Sequence, residues 1–311
     1  MTLAEMIKKG FKFIFDRKYR IKHLDQHGKL NGLSDEKYLK KVFYANMGKK
    51  LDLNNPATYS EKLQWQKLYD RRPEYTMMVD KIEVKKYVAE KLGEQYIIPT
   101  LGTWDDPDKI DFDALPERFV LKCNHNSGKG MVICKDKQSL DLPAVREGLK
   151  QGLEQDYYLK GREWPYKDVK RRILAEAYME DEKTAELRDY KFFCFNGETK
   201  MLFIASDRQK ADEETKFDFF DMDYNLLPFT NGHPNAKIPP QKPECFEEMK
   251  ALAAKLSEGI PQVRVDFYEV NGRVYFGEMT FFHWSGFMPY DPEEWDYKMG
   301  EWIKLPIELE E

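Results

Sequence analysis

The sequence predicts an α+β protein, with two lobes of mixed strands and helices after a mainly helical first region. Residues 34–93 show the apolar spacing and capping residues of helices, whereas short apolar runs separated by turn signals dominate from Ile97 onward. The later strands and helices lack the regular βαβ alternation of a doubly wound sheet. At 311 residues the chain can bury sizeable cores. We expect the mainly helical region at residues 1–94, the first α+β lobe at 95–180 and the second at 181–311.

The composition is that of a soluble globular protein. Apolar residues make up 41% and charged residues 34% of the chain. The net charge of −5 argues against a dedicated nucleic-acid binder, which would show a strongly basic domain. The four cysteines form no CxxC pair, which indicates reduced thiols instead of disulfides or a zinc site. No apolar run reaches the ~18 residues of a membrane span and no secretory signal is evident, so we expect a cytoplasmic location.

Residues 1–23 depart from this acidic balance. Seven basic side chains outnumber two acidic ones, Glu5 and Asp16. The basic residues are Lys8, Lys9, Lys12, Arg17, Lys18, Arg20 and Lys22, and the aliphatic and aromatic residues between them are Phe11, Phe13, Ile14 and Phe15. Such a segment can make a weak contact with an anionic membrane surface, which would place the protein at the inner face of the membrane. The alternative is a helix that packs its aromatic side chains on the domain beneath it.

Capping residues predict three helices in the first region. Ser34 precedes the first as its N-cap, and Thr58 and Glu61 have the spacing of a capping box at the start of the second. The third helix is expected from Met77 to Leu92, where Gly93 supplies the residue that stops it.

The β-like runs begin with a hairpin, residues 119–122 and 131–134, around the polar loop 123–130. A helix is expected at 143–153, and a further apolar strand covers Ile173–Met179. The remaining elements are expected in the order YKFFCF, TKMLFIA, KFDFFDMD, a helix from about Pro243 to Ser257, VRVDFYEV and RVYFGEMTFF.

The last two strands carry charged side chains that could meet across their turn. Residues two apart in a strand share a face, so Arg264 and Asp266 point together, as do Glu278 and Thr280. A two-residue turn would place Asp266 on the face away from Glu278, whereas a three-residue loop with Gly272 in the left-handed region would bring them onto one face. We predict the three-residue loop, because carboxylates in apolar strands are costly unless a cation or a phosphate accompanies them. The alternative is a strand pair whose charges face solvent.

The polar loop of the earlier hairpin can bind an anion. Lys122 ends the first strand, and the Asn, Ser and Gly residues after it can present backbone N–H groups to phosphate oxygens. The lysine precedes the glycines and no GKT or GKS opens a helix, so this is not a Walker A motif, and a plain hairpin loop is an equally good interpretation.

Glu176, inside ILAEAYME, could hydrogen-bond a base or ribose, or could be one exposed residue of a core strand.

The order of these segments resembles the ATP-grasp superfamily. FVLK with NHNSGKG resembles its phosphate-binding strand and loop, ILAEAYME its adenine-reading hinge, and VRVDF…GRVYFGEMT the magnesium signature of D-alanine–D-alanine ligases. The similarity is greatest to the TupA-like ATP-grasp family of teichuronopeptide and polysaccharide biosynthesis, through phrases such as LRDYKFFCFNGE and GEMTFFHWSGF. It extends over nearly the whole chain from Gly32 and implies an ATP-grasp fold, in which two α+β lobes hold ATP between them.

The resemblance implies a set of nucleotide contacts. Lys122 would contact the ATP phosphates, and Asp189 the ribose. The residues expected around the phosphates are Asn124, Ser127, Gly128, Lys129 and Gly130. The residues expected to hold adenine are Glu176, Ala177, Tyr178 and Met179.

It also implies the reacting centre. Lys191 would contact the γ-phosphate, and Arg264 would stabilise the reacting phosphoryl or acyl group. Asp266, Glu278 and Thr280 would bind Mg²⁺, although the ligase signature has asparagine at the position of Thr280, which puts the second ion's coordination in doubt.

The expected function is carboxylate–amine ligation with ATP and Mg²⁺, through an acyl phosphate. The resemblance implies that an amino acid or amine is joined to an acidic sugar or glycan precursor of a cell-surface polysaccharide. Phosphoryl transfer to a sugar or polyol hydroxyl is the main alternative, and a glycosyltransferase with a metal site at Asp221-Met222-Asp223 is a weaker one. The candidate acceptor contacts are Trp164, Tyr166, Arg208, His283, Trp284 and Ser285.

Overall fold

The computed structural model describes residues 3–182, 187–206 and 214–306. Arg208, one of the candidate acceptor contacts, lies outside these residues. The chain divides into two compact units. The first comprises Met1–Arg71, Phe229–Gly232 and Phe282–Glu311, and the second comprises Arg72–Pro228 and His233–Phe281. These units do not coincide with the three segments expected from the sequence.

The helices of the described residues are α1 (Leu3–Phe15), α2 (Arg17–Gln26), α3 (Asp35–Met47), α4 (Tyr59–Tyr69), α5 (Glu74–Val79), α6 (Glu83–Leu92), α7 (Leu142–Glu154), α8 (Phe246–Leu256) and α9 (Glu294–Trp302). The strands are β1 (Thr100–Trp104), β2 (Phe119–Cys123), β3 (Val132–Cys134), β4 (Ile173–Ala177), β5 (Asp189–Phe195), β6 (Glu198–Ser206), β7 (Lys216–Phe220), β8 (Thr230–Asn231), β9 (Val263–Val270), β10 (Arg273–Thr280) and β11 (Tyr290–Asp291). None of these helices is long and apolar enough to cross a membrane.

The first unit is mainly helical, with a short antiparallel pair of β8 and β11. The predicted capping box at the start of α4 is confirmed: the Thr58 hydroxyl accepts from the Glu61 nitrogen, and the Glu61 carboxylate accepts from the Thr58 nitrogen. Lys67 on α4 is completely buried, with Nζ 4.5 Å from the ring centroid of Phe287. The same Nζ donates to the Ser285 carbonyl at 2.7 Å, so a buried charge is satisfied by a carbonyl dipole and an aromatic face.

Two antiparallel sheets form the second unit. The smaller has the strand order β1-β4-β2-β3, and its apolar face packs with α7 around Phe119, Leu121, Leu149 and Ile173. The larger has the order β10-β9-β5-β6-β7, and α8 contacts β5, β6 and β9. The strand alternation therefore leaves one face of β9 for apolar side chains and gives the other to the charged residues.

The third predicted helix, from Met77 to Leu92, is wrong near its start. Residues 80–82 interrupt it, giving α5 and α6, although α6 ends at Leu92 before Gly93 as expected. Asp80 causes the interruption because its Oδ1 accepts from the Ile82 nitrogen at 2.8 Å, in the manner of an N-cap. The break also exposes the Lys81 backbone to the adjacent loop, where the Lys81 nitrogen donates to the Asn124 carbonyl at 3.2 Å.

We expect Gly300→Ala to destabilise the first unit. A Cβ on Gly300 would collide with the Ala57 carbonyl oxygen and lie 2.9 Å from the Tyr59 nitrogen, both of which are backbone atoms at the start of α4. The cost should be about 1–3 kcal/mol, which denaturant unfolding would measure. Gly148→Ala in α7 is the matched control, because nothing lies within 4 Å of its Cβ and alanine favours a helix. Equal stability of the two variants would contradict this packing.

Candidate active site

The β9–β10 hairpin turns through two residues, so the predicted three-residue loop is wrong. Val270 pairs directly with Arg273, leaving Asn271 and Gly272 as the turn. Both have positive φ, 51° and 73°, which is the combination that matches the twist of a tight hairpin. The expected positive φ of Gly272 is confirmed, but this turn alone would separate the two carboxylates.

A β-bulge at Gly277 brings them back together. Phe276 pairs with Phe267, but Glu278 pairs with Asp266, so β10 has one extra residue at this point. A Cβ on Gly277 would lie 3.1 Å from the Asp266 carbonyl oxygen and 3.2 Å from a ring carbon of Tyr268. Any other residue would require β9 or Tyr268 to give way by a few tenths of an ångström. The carboxylates therefore face each other directly, through a bulge and not through the turn.

Asp266 is the buried centre of the site, with 1% of its surface exposed. Its Oδ1 accepts from Arg264 Nε at 2.7 Å, and its Oδ2 accepts from Arg264 Nη2 at 2.8 Å and from Lys191 Nζ. Lys191 is the residue opposite Asp266 in the β5–β9 register. Three adjacent strands thus place Lys191, Asp266 and Glu278 in one row, and two cations neutralise the buried carboxylate.

Glu278 forms the more accessible side of this row, with its side chain 36% exposed. Its Oε1 accepts from Arg264 Nη2 at 2.9 Å and from the Thr280 hydroxyl at 3.0 Å. Burial raises the Glu278 pKa, but the charges of Lys81, Arg264 and Lys191 outweigh it and bring the pKa to about 2. Glu278 is therefore an anion held by surrounding cations.

Asp189 joins the same face from the start of β5. Its Oδ1 lies 3.5 Å from Lys191 Nζ, and the residue is 6% exposed. Its charge and its hydrogen bond to Tyr268 contribute to holding that phenol's pKa well above the ordinary value. The structure thus brings all of the expected catalytic and metal-binding residues to one sheet face, together with the candidate ribose contact.

A second carboxylate–cation cluster lies on the smaller sheet. Glu176, 5% exposed, forms ion pairs with Lys122 Nζ and, at 2.6 Å, with Lys85 Nζ. Val120 opposes Glu176 and Leu174 opposes Lys122, so the lysine reaches Glu176 diagonally across β2 and β4. Burial raises the Glu176 pKa, but the two lysines lower it below the ordinary value. The exposed-residue interpretation of Glu176 is wrong.

Lys81 is a candidate site residue that the sequence analysis missed. Its Nζ donates to the Asn126 carbonyl at 2.8 Å. Burial lowers its pKa, while the negative charges of Glu278 and Glu176 raise it and Lys122 lowers it further. Lys81 therefore lies within the electrostatic reach of both clusters. An aspartate inside the third predicted helix was the available signal, because aspartate favours an N-cap over a helix interior.

The loop after β2 has an anchored half and an exposed half. Asn124 is fully buried. Its side-chain Nδ2 donates to Asp80 Oδ1 at 2.8 Å, and its side-chain Oδ1 accepts from the Arg172 backbone nitrogen at 2.7 Å. The amide of Asn126 donates to the Gly152 carbonyl at 3.0 Å. Asn124 therefore fixes the loop with its side chain, whereas the expected phosphate-covering residues 127–129 are exposed and Gly130 is partly so.

The expected adenine-binding segment follows β4. Ala177, Tyr178 and Met179 are partly exposed, and Tyr178 lies under the guanidinium of Arg118 at 5.2 Å. The Ala177 nitrogen already donates to the Pro99 carbonyl at 3.0 Å. That backbone donor is consequently engaged within the protein.

The aromatic connector 157–166 also reaches the carboxylate face. Tyr166 packs edge-on against Tyr157 with ring centroids 4.8 Å apart. Burial and the charge of Glu278 are among the causes that raise the pKa of both phenols. Tyr157 also hydrogen-bonds Ser127 of the exposed loop. Trp164, by contrast, is buried against Tyr75.

The other candidate acceptor contacts belong to the first unit. His283 is buried, with Nε2 3.0 Å from Asn231 Oδ1. Trp284 is 40% exposed and Ser285 is partly exposed, and both have positive φ, 49° and 53°. Successive residues in this region of backbone space are strained, which is frequent in functional segments.

The possible glycosyltransferase motif is a turn. Asp221 Oδ1 accepts from the Asp223 nitrogen at 3.0 Å and from the Asn225 nitrogen at 2.8 Å. Its other oxygen accepts from the Asn225 amide. These hydrogen bonds explain the presence of Asp221 as a turn residue, without a role in metal binding.

The donor set at Asp266 and Glu278 suits a hard cation. Two carboxylates and the Thr280 hydroxyl are oxygen ligands of the kind that Mg²⁺ binds, and phosphate oxygens commonly complete its shell. Within residues 3–182, 187–206 and 214–306, no group of three or more histidine, cysteine, aspartate or glutamate side chains has metal-binding geometry.

The sequence matches the family model described as TupA-like ATPgrasp over residues 61–304, which is well over half of the chain. The protein belongs to the TupA-like ATP-grasp family. This membership supports an ATP-dependent enzyme with the ATP-grasp fold, as the order of motifs implied. No curated protein matches the sequence significantly.

Solved structures show distant similarity. A D-alanine–D-alanine ligase from Bacillus anthracis complexed with ATP is 15% identical, with a TM-score of 0.39, covering 66% of this chain and 54% of its own. The Helicobacter pylori enzyme is 16% identical, with a TM-score of 0.41 and coverages of 79% and 68%. The ATP-grasp ligase PsnB, complexed with minimal precursor, Mg and ADP, is 9% identical, with a TM-score of 0.39 and coverages of 71% and 57%. This TupA-like protein thus spans about half the length of the Bacillus anthracis ligase. TM-scores of 0.39 to 0.41 carry no argument about the substrate of the TupA-like protein.

We expect Glu278→Gln to destabilise the protein at neutral pH. The folded-state pKa of about 2 lies below the ordinary value of 4.5, so the charge stabilises the fold above pH 4.5 and this contribution is lost as the pH falls towards 2. Since the side chain is 36% exposed and partly screened by solvent, we expect about 1 kcal/mol. Removing it should not stabilise the protein, because cations surround it.

Thermal unfolding of Glu278→Gln and wild type from pH 7 to pH 3 would measure this effect. The difference in melting temperature should shrink as the pH falls. Glu198→Gln is the control, because Glu198 is 68% exposed in a surface pair with Lys200. A variant as stable as wild type at pH 7, or a difference independent of pH, would contradict the assignment.

Proposed function

We propose that this protein is an ATP- and Mg²⁺-dependent carboxylate–amine ligase that acts through an acyl phosphate. The observation that supports it is the placement of Arg264 and Lys191 beside Asp266 and Glu278 on one sheet face, with Lys81 within electrostatic reach. Phosphoryl chemistry needs this combination, because the reaction concentrates negative charge that cations must neutralise and carboxylates can hold magnesium.

Within this proposal, Asp266, Glu278 and Thr280 would hold Mg²⁺. When bound, the ion would neutralise phosphate charge and favour the transfer of the γ-phosphoryl group to a carboxylate. Glu278 is the more accessible ligand, whereas both oxygens of Asp266 already accept hydrogen bonds from cations. Lys191 shares Asp266 Oδ2 with Arg264 Nη2, and would present its ammonium to a phosphate oxygen from this position.

The chain's own cations would act in two groups. Lys122 and Lys81 would contact the phosphates of the nucleotide, with the exposed loop residues 127–130 covering them. Lys191 and Arg264 would stabilise the reacting phosphoryl or acyl oxygens, where each preorganised contact matters most. The amine would then attack the carbonyl carbon of the acyl phosphate, so that an amide bond forms and inorganic phosphate leaves. This step needs the reactants to be positioned and does not need a protein nucleophile.

For the acceptor we propose an acidic sugar or glycan precursor, which the protein would join to an amino acid or amine. The reaction would take place in the cytoplasm, as one step in the synthesis of a cell-surface polysaccharide. This rests on the resemblance to the TupA-like family. Tyr157 and Tyr166, which lie in the field of Glu278 and Arg264, offer aromatic contacts close to the reacting centre. A sugar or polyol kinase would use the same nucleotide residues and differ only in the group phosphorylated.

Lys81→Met should weaken Mg-ATP binding by about tenfold to a hundredfold, because one charge-assisted hydrogen bond contributes about 1.5–3 kcal/mol. Isothermal titration with a non-hydrolysable ATP analogue would measure it, and circular dichroism would check the fold. Lys86→Met is the control, because Lys86 is 81% exposed in a surface pair. Unchanged affinity in Lys81→Met would remove Lys81 from the nucleotide site.

The reaction class can be separated with hydroxylamine. The protein would be incubated with Mg-ATP, hydroxylamine and a panel of uronic acids and other acidic sugars. We expect ADP release with acyl hydroxamate, since hydroxylamine traps an acyl phosphate, and a loss of about a hundredfold or more in Glu278→Gln. ADP with a phosphorylated sugar and no hydroxamate would instead support the kinase, and no acid-dependent ADP release would contradict the ligase.

A further inference from the structure

Helix α1 is fixed at its end but keeps an apolar surface open to solvent. Arg20 Nη1 donates to the Ile14 carbonyl at 2.8 Å and to the Phe13 carbonyl at 3.2 Å, which caps the end of α1. The Phe13 ring packs edge-on against His23, with centroids 5.3 Å apart. Phe11, Ile14 and Phe15, by contrast, are 61%, 63% and 76% exposed. The last turns of the helix are thus held by α2, while three large apolar side chains remain uncovered.

The three exposed apolar side chains are neighbours on one helix. Large apolar side chains normally leave water on folding, and burial of one contributes about 1.5–3 kcal/mol. The Phe11 and Phe15 rings stack on each other at 5.8 Å, one helical turn apart, so they form a continuous apolar strip. Packing on the domain beneath, the alternative left open by the sequence, accounts for Phe13 and not for this strip.

The charge beside the strip indicates what covers it. Lys8, Lys9 and Lys12 are exposed on the same helix, on an arc that borders Phe15 and turns away from Ile14. In a chain of net charge −5, this concentration of positive charge is local. An amphipathic helix with lysines on its polar side and Phe and Ile on the other lies in the interface of an anionic bilayer.

We propose that α1 binds the surface of an anionic lipid membrane, with Phe11, Ile14 and Phe15 inserted among the acyl chains and the lysines at the headgroups. At 13 residues the helix is about 20 Å long, so it lies in the plane of the surface. A second copy of the chain would bring only the same positive charge to this surface, whereas anionic headgroups complement it. This inference is independent of the proposed enzymatic function.

Sedimentation of the full-length protein with large vesicles tests it. Vesicles of about one-third phosphatidylglycerol in phosphatidylcholine should bind the protein at about 0.1 M salt and release most of it at about 0.5 M. Pure phosphatidylcholine vesicles should bind at least tenfold less. The combined Lys8→Gln and Lys9→Gln change should weaken binding roughly 25-fold, about fivefold for each charge.

The apolar strip is tested by Phe11→Ser with Phe15→Ser, which should reduce binding at least tenfold without lowering the melting temperature, because both rings are exposed. Ile238→Ser is the matched control, since Ile238 is 87% exposed elsewhere, and Lys86→Gln with Lys135→Gln removes the same charge from another surface. Equal binding by strip and control variants would overturn the proposal. So would the absence of vesicle binding together with a dimer, in light scattering, that the Phe11→Ser and Phe15→Ser changes dissociate.

Discussion

The pairing of Asp266 with Arg264 and Lys191 is the interaction on which the rest of the candidate site depends. A carboxylate that is 1% exposed is tolerated only when cations and hydrogen bonds replace its water. Arg264 lies two residues before it on the same strand, and Lys191 faces it from β5. The register of β5 and β9 therefore places a cation directly opposite this buried carboxylate.

Glu176 repeats this arrangement on the smaller sheet, where Lys122 and Lys85 hold it. In both clusters, lysines suited to phosphate are paired with buried carboxylates of the protein. A phosphate chain would compete with these carboxylates for the same ammonium groups. The internal pairs thus hold the lysines in position before a nucleotide arrives, which lowers the cost of ordering them on binding. Lys81, in the field of Glu176 and Glu278, links the two clusters electrostatically.

Backbone irregularities place several of these charges. The bulge at Gly277 moves Glu278 onto the face of Asp266, and the break after Asp80 takes Lys81 out of a helix. Each irregularity has a local chemical cause: a glycine that lets β9 approach closely, and an aspartate that caps the next helix.

The sequence by itself determined the α+β class, most of the helices and strands, the capping box at Thr58 and the family, because these depend on residues close together in the chain. It also predicted that Arg264, Asp266 and Glu278 share one face of the hairpin, although through the wrong loop. Only the tertiary structure decided how they meet, because a bulge depends on the approach of β9 to Gly277. The interruption of the third helix and the role of Lys81 were likewise missed, because helical spacing continues through residues 80–82. The hydrogen bond that Asn124 donates to Asp80 joins segments that only the fold brings together.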